Sequence, residues 1–185
     1  MNPLRSLLWL ASALPLITLA QDKVNPEARV QEDFRKRVTD YVTLHKTARS
    51  EVKPLKPTKS QAEIARYEHL LAHRIRERRE HTGQGAIFTP EISAEFRRLT
   101  GIALQGSAGT RVQKSLNRAE PVRLPRLKVN DIYPEGAPLQ STPPSFLANL
   151  PQLPPEVEYR VVGHDLVLRD VDANLIVDLI PNLVP

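Results

Sequence analysis

The stretch EHLLAHRIRERREH, from Glu68 to His81, places His69, His73, Glu77 and His81 at four-residue intervals. Two histidines four apart on a helix can share one divalent ion through their imidazole nitrogens. Here they would make a non-catalytic Zn, Ni or Co site from His69 and His73, with Glu77 or His81 as third ligand. A zinc hydrolase helix would carry a glutamate after its first histidine as general base, but HLLAH has Leu70 there, which argues against that chemistry. Each four-residue step drifts by about 40° around a helix, so one ion cannot reach all four side chains. With Ile64 at the origin, the row His69, His73, Glu77 and His81 projects opposite the apolar face of Ile64, Tyr67, Leu71 and Ile75. The same run holds Arg74, Arg76, Arg78 and Arg79, which repel a cation and suit an anion. These four arginines are the candidate contact for an anion or a partner. A solvated helix face laced by Glu77, Glu80 and arginines at three- and four-residue spacing is the plain alternative.

The other chemistry-bearing residues point to structure. Asp165, Asp170, Asp172 and Asp178 crowd the C-terminal end, and paired carboxylates can cleave a glycan. The first three fall in or beside turns, where aspartate is favoured for bonding its own backbone. His45 lies on an apolar helical stripe and reads as a partly buried histidine. Ser107 sits in QGSAG without a Gly-x-Ser-x-Gly elbow, and DVDAN is too short for an EF-hand loop. With no cysteine in 185 residues, thiolate catalysis, disulfides and cysteine-held metals are excluded. Neither a GxxxxGK[ST] loop nor a GxGxxG turn is present to hold phosphates.

Three helices must position the row. Asn25-Pro26-Glu27 is a helix start, with a capping side chain, proline in the first turn and an acid at the positive dipole end. Val30, Phe34, Val38, Tyr41, His45 and Ala48 then recur every three or four residues, up to the prolines at 54 and 57. Ser60 with Glu63 forms a capping box for a second helix, which Gly83 and Gly85 are expected to stop. Thr89-Pro90 opens a third, with Ile92, Phe96 and Leu99 on one side and Gly101 at its end. A fourth, weaker helix is expected over Thr110–Arg118.

Nine prolines between 121 and 155 bar a regular helix or central strand, so that segment either wraps the helices or spaces them. Beyond it the period becomes two. Tyr159–Val162, Leu166–Leu168 and Leu175–Ile180 read as strands, separated by turns at Gly163–Asp165 and in DVDAN. The expected architecture is α+β, with three or four N-terminal helices and a C-terminal three-stranded antiparallel meander. Residues 1–20 are a signal peptide, 21–120 a helical region, 121–155 a proline-rich connector and 156–185 the meander packed on the helices. The signal reading rests on Arg5 followed by an uncharged apolar run, Ser6–Ala20, too short for a membrane span.

Charge divides the same way. Residues 21–128 hold 23 Lys+Arg against 13 Asp+Glu, whereas residues 129–185 hold 2 against 8. The halves attract each other or attract different partners.

The run PPEVEYRVVGHDLVLRDVDANLIVDLI, Pro154–Ile180, resembles the terminal strand region of small periplasmic proteins of the nickel/cobalt-homeostasis RcnB-like group. The matching residues are Tyr159, Arg160, Val162, Gly163, Asp165, Val167 and Leu168, and the helical part is not covered. GAIFTPEISAEFRRLTG and the C-terminal run also resemble pieces of uncharacterised exported bacterial proteins. These resemblances imply export and, for the first group, metal handling.

The resulting expectation is an exported protein, periplasmic or secreted, that is not an enzyme, needs no cofactor and binds through its basic helical surface. Its partner would be an envelope protein or an anionic surface. Nucleic acid is not expected, since aromatic residues for base stacking are missing from the basic run, and neither is integral membrane insertion once the signal is cleaved. A divalent-metal-handling protein using His69 and His73 is the alternative. A glycan hydrolase using the C-terminal carboxylates comes last.

Overall fold

A computed structural model describes residues 25–106, 109–111, 114, 126–134 and 144–184. The expected signal segment, most of the helix expected over Thr110–Arg118 and the middle of the proline-rich connector lie outside these residues. Helix α1 spans Pro26–Ser50, α2 Gln61–Arg78, α3 Pro90–Ala103 and the single turn α4 Pro144–Leu147. Strands β1 Val157–Val162, β2 Asp165–Asp170 and β3 Leu175–Ile180 follow in the order β1-β2-β3, all antiparallel. The fold is α+β, as expected.

The helices begin where their caps direct. The Asn25 side chain accepts from the Glu27 amide, Ser60 from Glu63 and Thr89 from Ile92. At α2 the Ser60 amide donates to the Thr58 hydroxyl, so threonine takes the return bond of the expected box. Phe34, Val38, Tyr41, Val42, His45 and Ala48 form the buried stripe of α1. Phe96 from α3 is the centre of the helix–sheet core, with ring centroids 5.0 Å from Phe34, 5.2 Å from Phe88 and 5.9 Å from Tyr159. Such edge-on aromatic pairs each add about 1 kcal/mol to the burial of their area.

Gly163 at φ +60° and His164 make a two-residue turn between β1 and β2. Between β2 and β3 the register shifts: Leu168 faces Asp178, while Arg169 faces Ile176. Val177 is the extra residue of a β-bulge, so Val177 and Asp178 both reach the helix side. With one face on the helices and the other covered by the connector, β3 is buried along its whole length.

The described part of the connector wraps rather than spaces. The Asn130 and Tyr133 amides donate to the carbonyls of Ile176 and Asn174, and the Ile176 amide donates to Asp131. Residues 130–133 thus cover the outer edge of β3, protecting backbone groups that would otherwise be open to another chain. Leu127 and Tyr133 close the sheet face away from the helices over Val167, Ile176 and Leu179.

Candidate functional site

Helix α2 ends at Arg78, ahead of the stop expected at Gly83, which corrects the reach of the histidine row. The Asn130 side-chain amide donates to the carbonyls of Arg79 and Thr82, and the Arg79 amide turns back to Arg76. Orphan carbonyls at the helix end are thereby satisfied before the glycines are reached. His81 therefore lies beyond the helix and is not a fourth member of its face. His69, His73 and Glu77 are exposed on α2, as their projection requires. His73 Nε2 lies 3.5 Å from Glu77 Oε1, and Arg74 donates to the other Glu77 oxygen at 3.0 Å. The hydrogen bond from Arg74 holds the Glu77 carboxyl below its ordinary range, outweighing slight desolvation. Among the described residues no three His, Asp or Glu side chains gather in a metal-binding group.

The four arginines separate into different roles. Arg79 is only 3% exposed, so it is not a surface contact. It donates to Asn130 Oδ1 and the Val177 carbonyl at 2.8 Å each, and its guanidinium stacks 5.2 Å from the Tyr41 ring centroid. Burial lowers its pKa, opposed by the charges of Tyr41, Asp178 and Asp170. The helical projection that puts His73 near 180° puts Arg79 near about 60°, on the core side, and that signal was present in the sequence. Arg76 is half-buried and donates to the Asn130 carbonyl at 2.6 Å. Arg78 pairs with Glu51, and Arg74 with Glu77.

A group of cations without acidic partners lies nearer the start of α2. Lys53, Lys56 and Lys59 in the α1–α2 connection and Arg66 on α2 are exposed. Among the described residues none of these four has a carboxylate within ion-pair distance. Leu55 is 40% exposed between the lysines, and Leu70 is 51% exposed on the outer face of α2. The proline spacing that ends α1 holds this connection out of a helix, since a residue before proline is kept extended. The run Lys53-Pro54-Leu55-Lys56-Pro57-Thr58-Lys59 was visible in the sequence as a helix break but not as a basic surface.

Two acids of the C-terminal half, Asp170 and Asp178, go inward. Asp178, an acid inside the apolar run LIVDLI, is fully buried. Its oxygens accept from the amides of Gly85, Ile87, Phe88 and Leu179 at 2.8–3.0 Å. It therefore fastens the α2–α3 loop to the sheet. Asp170, also fully buried, accepts from the Tyr41 hydroxyl and His45 Nδ1 at 2.6 Å and from the Ala173 amide at 2.8 Å. Burial, then the charge and hydrogen bond of Asp170, push the Tyr41 phenol well above its ordinary value. His45 is fully buried, deeper than the sequence led us to expect. Asp165 accepts from the Asn182 amide at 2.9 Å, and Asp172 pairs with Arg49 at 3.0 Å. Neither Asp170 nor Asp178 has an open face for a sugar.

A groove of about 540 Å³ opens beside β1 between Leu147, Leu150, Leu153, Glu158 and Arg160. Its charges already satisfy one another, because Glu158 accepts from both Arg160 and Arg169. No helix among the described residues is long and apolar enough to cross a membrane.

No protein-family model matches the chain, and neither does a curated protein or a solved structure.

Proposed function

We propose that this is an exported, non-catalytic accessory protein that binds an anionic surface of the cell envelope through its basic helical face. The observation that carries the reading is the set of four exposed, unpaired cations Lys53, Lys56, Lys59 and Arg66. Elsewhere on the same side of the sequence the arginines of 74–79 are bonded to Glu77, Glu51, Asn130 and Val177. The contact is therefore centred on the α1–α2 connection and the first turns of α2, with Arg74 and Arg78 at its margin. Leu55, exposed among the lysines, supplies an apolar tip where the charges meet the surface.

Long-range attraction suits this array. A basic side chain near an anionic surface contributes about 1 kcal/mol, and the attraction weakens with salt over a Debye length of about 10 Å. Asp170 and Asp178 are buried in the sheet, and Glu63 and Glu68, the acids beside Arg66 on α2, form no ion pair with it. The test is sedimentation of the protein with phosphatidylglycerol and phosphatidylcholine vesicles at low and high salt. Salt-sensitive retention on the anionic vesicles alone, lost in the variant Lys53→Glu/Lys56→Glu/Lys59→Glu/Arg66→Glu, supports the reading. Equal retention on both lipids, or retention unaffected by the four reversals, removes it.

A further inference from the structure

His45 lies at a junction of three elements, independently of the surface just described. Its Nδ1 is 2.6 Å from Asp170 Oδ2 at the end of β2, and its Nε2 is 3.5 Å from Asp172 Oδ2 in the β2–β3 turn. The ring is fully buried, and Nε2 makes no hydrogen bond. In a neutral ring with the proton on Nδ1, the Nε2 lone pair would face the Asp172 carboxylate inside the protein. That is a buried unsatisfied acceptor set against a like-signed oxygen, which costs free energy twice over. In a doubly protonated ring both nitrogens donate, each toward its own carboxylate, and the ring's positive charge lies between two negative ones.

We infer that His45 is held as an imidazolium ion clasping α1 to both Asp170 and Asp172, and that raising the pH opens this clasp.

The surrounding charges are consistent with that state. From α1, Tyr41 donates its hydroxyl to Asp170, and Arg49 pairs with Asp172 at 3.0 Å. Arg49 opposes the ring's charge. Ahead of β1, Glu156 adds a negative charge and is paired with Lys46 of α1 at 3.1 Å. From beyond α2, Arg79 stacks on the Tyr41 ring. Burial pulls the His45 pKa down, yet the hydrogen bond and charge of Asp170, with the charge of Asp172, leave it raised. A group with a raised folded-state pKa contributes stability that is fully present below its unfolded value, about 6.5 for histidine. That contribution fades as pH rises through the higher folded value. The clasp thus holds at and below the ordinary histidine range and loosens as pH rises through the raised folded value.

The junction spans the C-terminal half of α1, the end of β2 and the turn that the Ala173 amide closes on Asp170. Opening it should free α1 from the sheet locally while the Phe34–Phe96 cluster holds the rest. This differs from unfolding in its location, and amide exchange distinguishes the two.

The test is ring-nitrogen NMR of the whole protein across pH, with Asp172→Asn and, as control, Glu77→Gln. We expect both His45 nitrogens to be protonated at pH 7 and the titration midpoint to lie above the ordinary histidine range. Asp172→Asn should lower the midpoint, and Glu77→Gln should leave it in place. Across the midpoint the Ala173 amide should lose exchange protection, and the melting temperature should fall by an amount on the order of 3 °C. If Asp172→Asn fails to fold, the ring shifts of the unmodified protein decide alone. A neutral ring at pH 7, or a midpoint indifferent to Asp172→Asn, would overturn the inference.

Discussion

Two regions of this molecule are rich in charge and use it in opposite ways. In the C-terminal sheet, Asp170 and Asp178 are fully buried, and hydroxyl, imidazole and backbone donors surround them. Along α2 and the connection before it, Lys53, Lys56, Lys59, Arg66, His69 and His73 stand in solvent. The first set is costly to disturb because a buried charge has lost its water and depends on a few fixed partners. The second is almost without consequence for stability, because water and salt screen it. Arg79 crosses the boundary between the two regions. It belongs to the basic run by sequence and to the buried network by position. The comparison teaches that a cluster of like residues in sequence is not a surface until each side chain's partner has been found.

The largest expected effect lies on the buried side. Asp178→Ala would leave the Gly85, Ile87 and Phe88 amides without acceptors and should cost about 4 kcal/mol in denaturant unfolding. Loss of exchange protection at Ile87 and Phe88 should accompany it. A cost below 1 kcal/mol would show that this carboxylate does not anchor the α2–α3 loop. Next comes Arg79→Ala, which strips Asn130 and the Val177 carbonyl of their donor and removes packing from Tyr41. It should cost about 2–4 kcal/mol, whereas Arg74→Ala should stay within about 0.5 kcal/mol. Equal effects of the two would erase the boundary drawn here between them. The smallest effect belongs to the histidine pair. His69→Ala/His73→Ala should leave the urea midpoint of the metal-free protein unchanged, within about 0.5 kcal/mol. A melting temperature that rises with added Ni²⁺ in the unmodified protein, but not in this variant, would restore the row as a metal site.

Much of the fold was legible because its signals are local. The α1 stripe from Val30 to Ala48, the caps at Asn25, Ser60 and Thr89, and the strand run after Pro155 each declare themselves within one element. The order of strands follows from short turns at Gly163 and before Leu175. What escaped depends on distant partners. Asn130 ends α2 from 51 residues away and gives Arg79 its burial, and nothing near Arg79 in the chain announces Asn130. The bulge at Val177 turns Asp178 toward the helices, and a register shift leaves no mark on composition. His45 was half legible: its place on an apolar stripe foretold burial, but Asp170 and Asp172 lie 125 residues and more beyond it. The partners of the arginine run were hidden for a related reason. A dense arginine run stands out in a sequence, yet density also brings acids and carbonyls within reach, whereas the sparser lysines between the prolines have none among the described residues.

The most direct test of the account measures stability and surface binding together on one variant, Lys53→Glu/Lys56→Glu/Lys59→Glu/Arg66→Glu. We expect a melting temperature within a few degrees of the unmodified protein and a fall in anionic-vesicle affinity on the order of a thousandfold at low salt. Binding that survives the four reversals in a folded protein would contradict it.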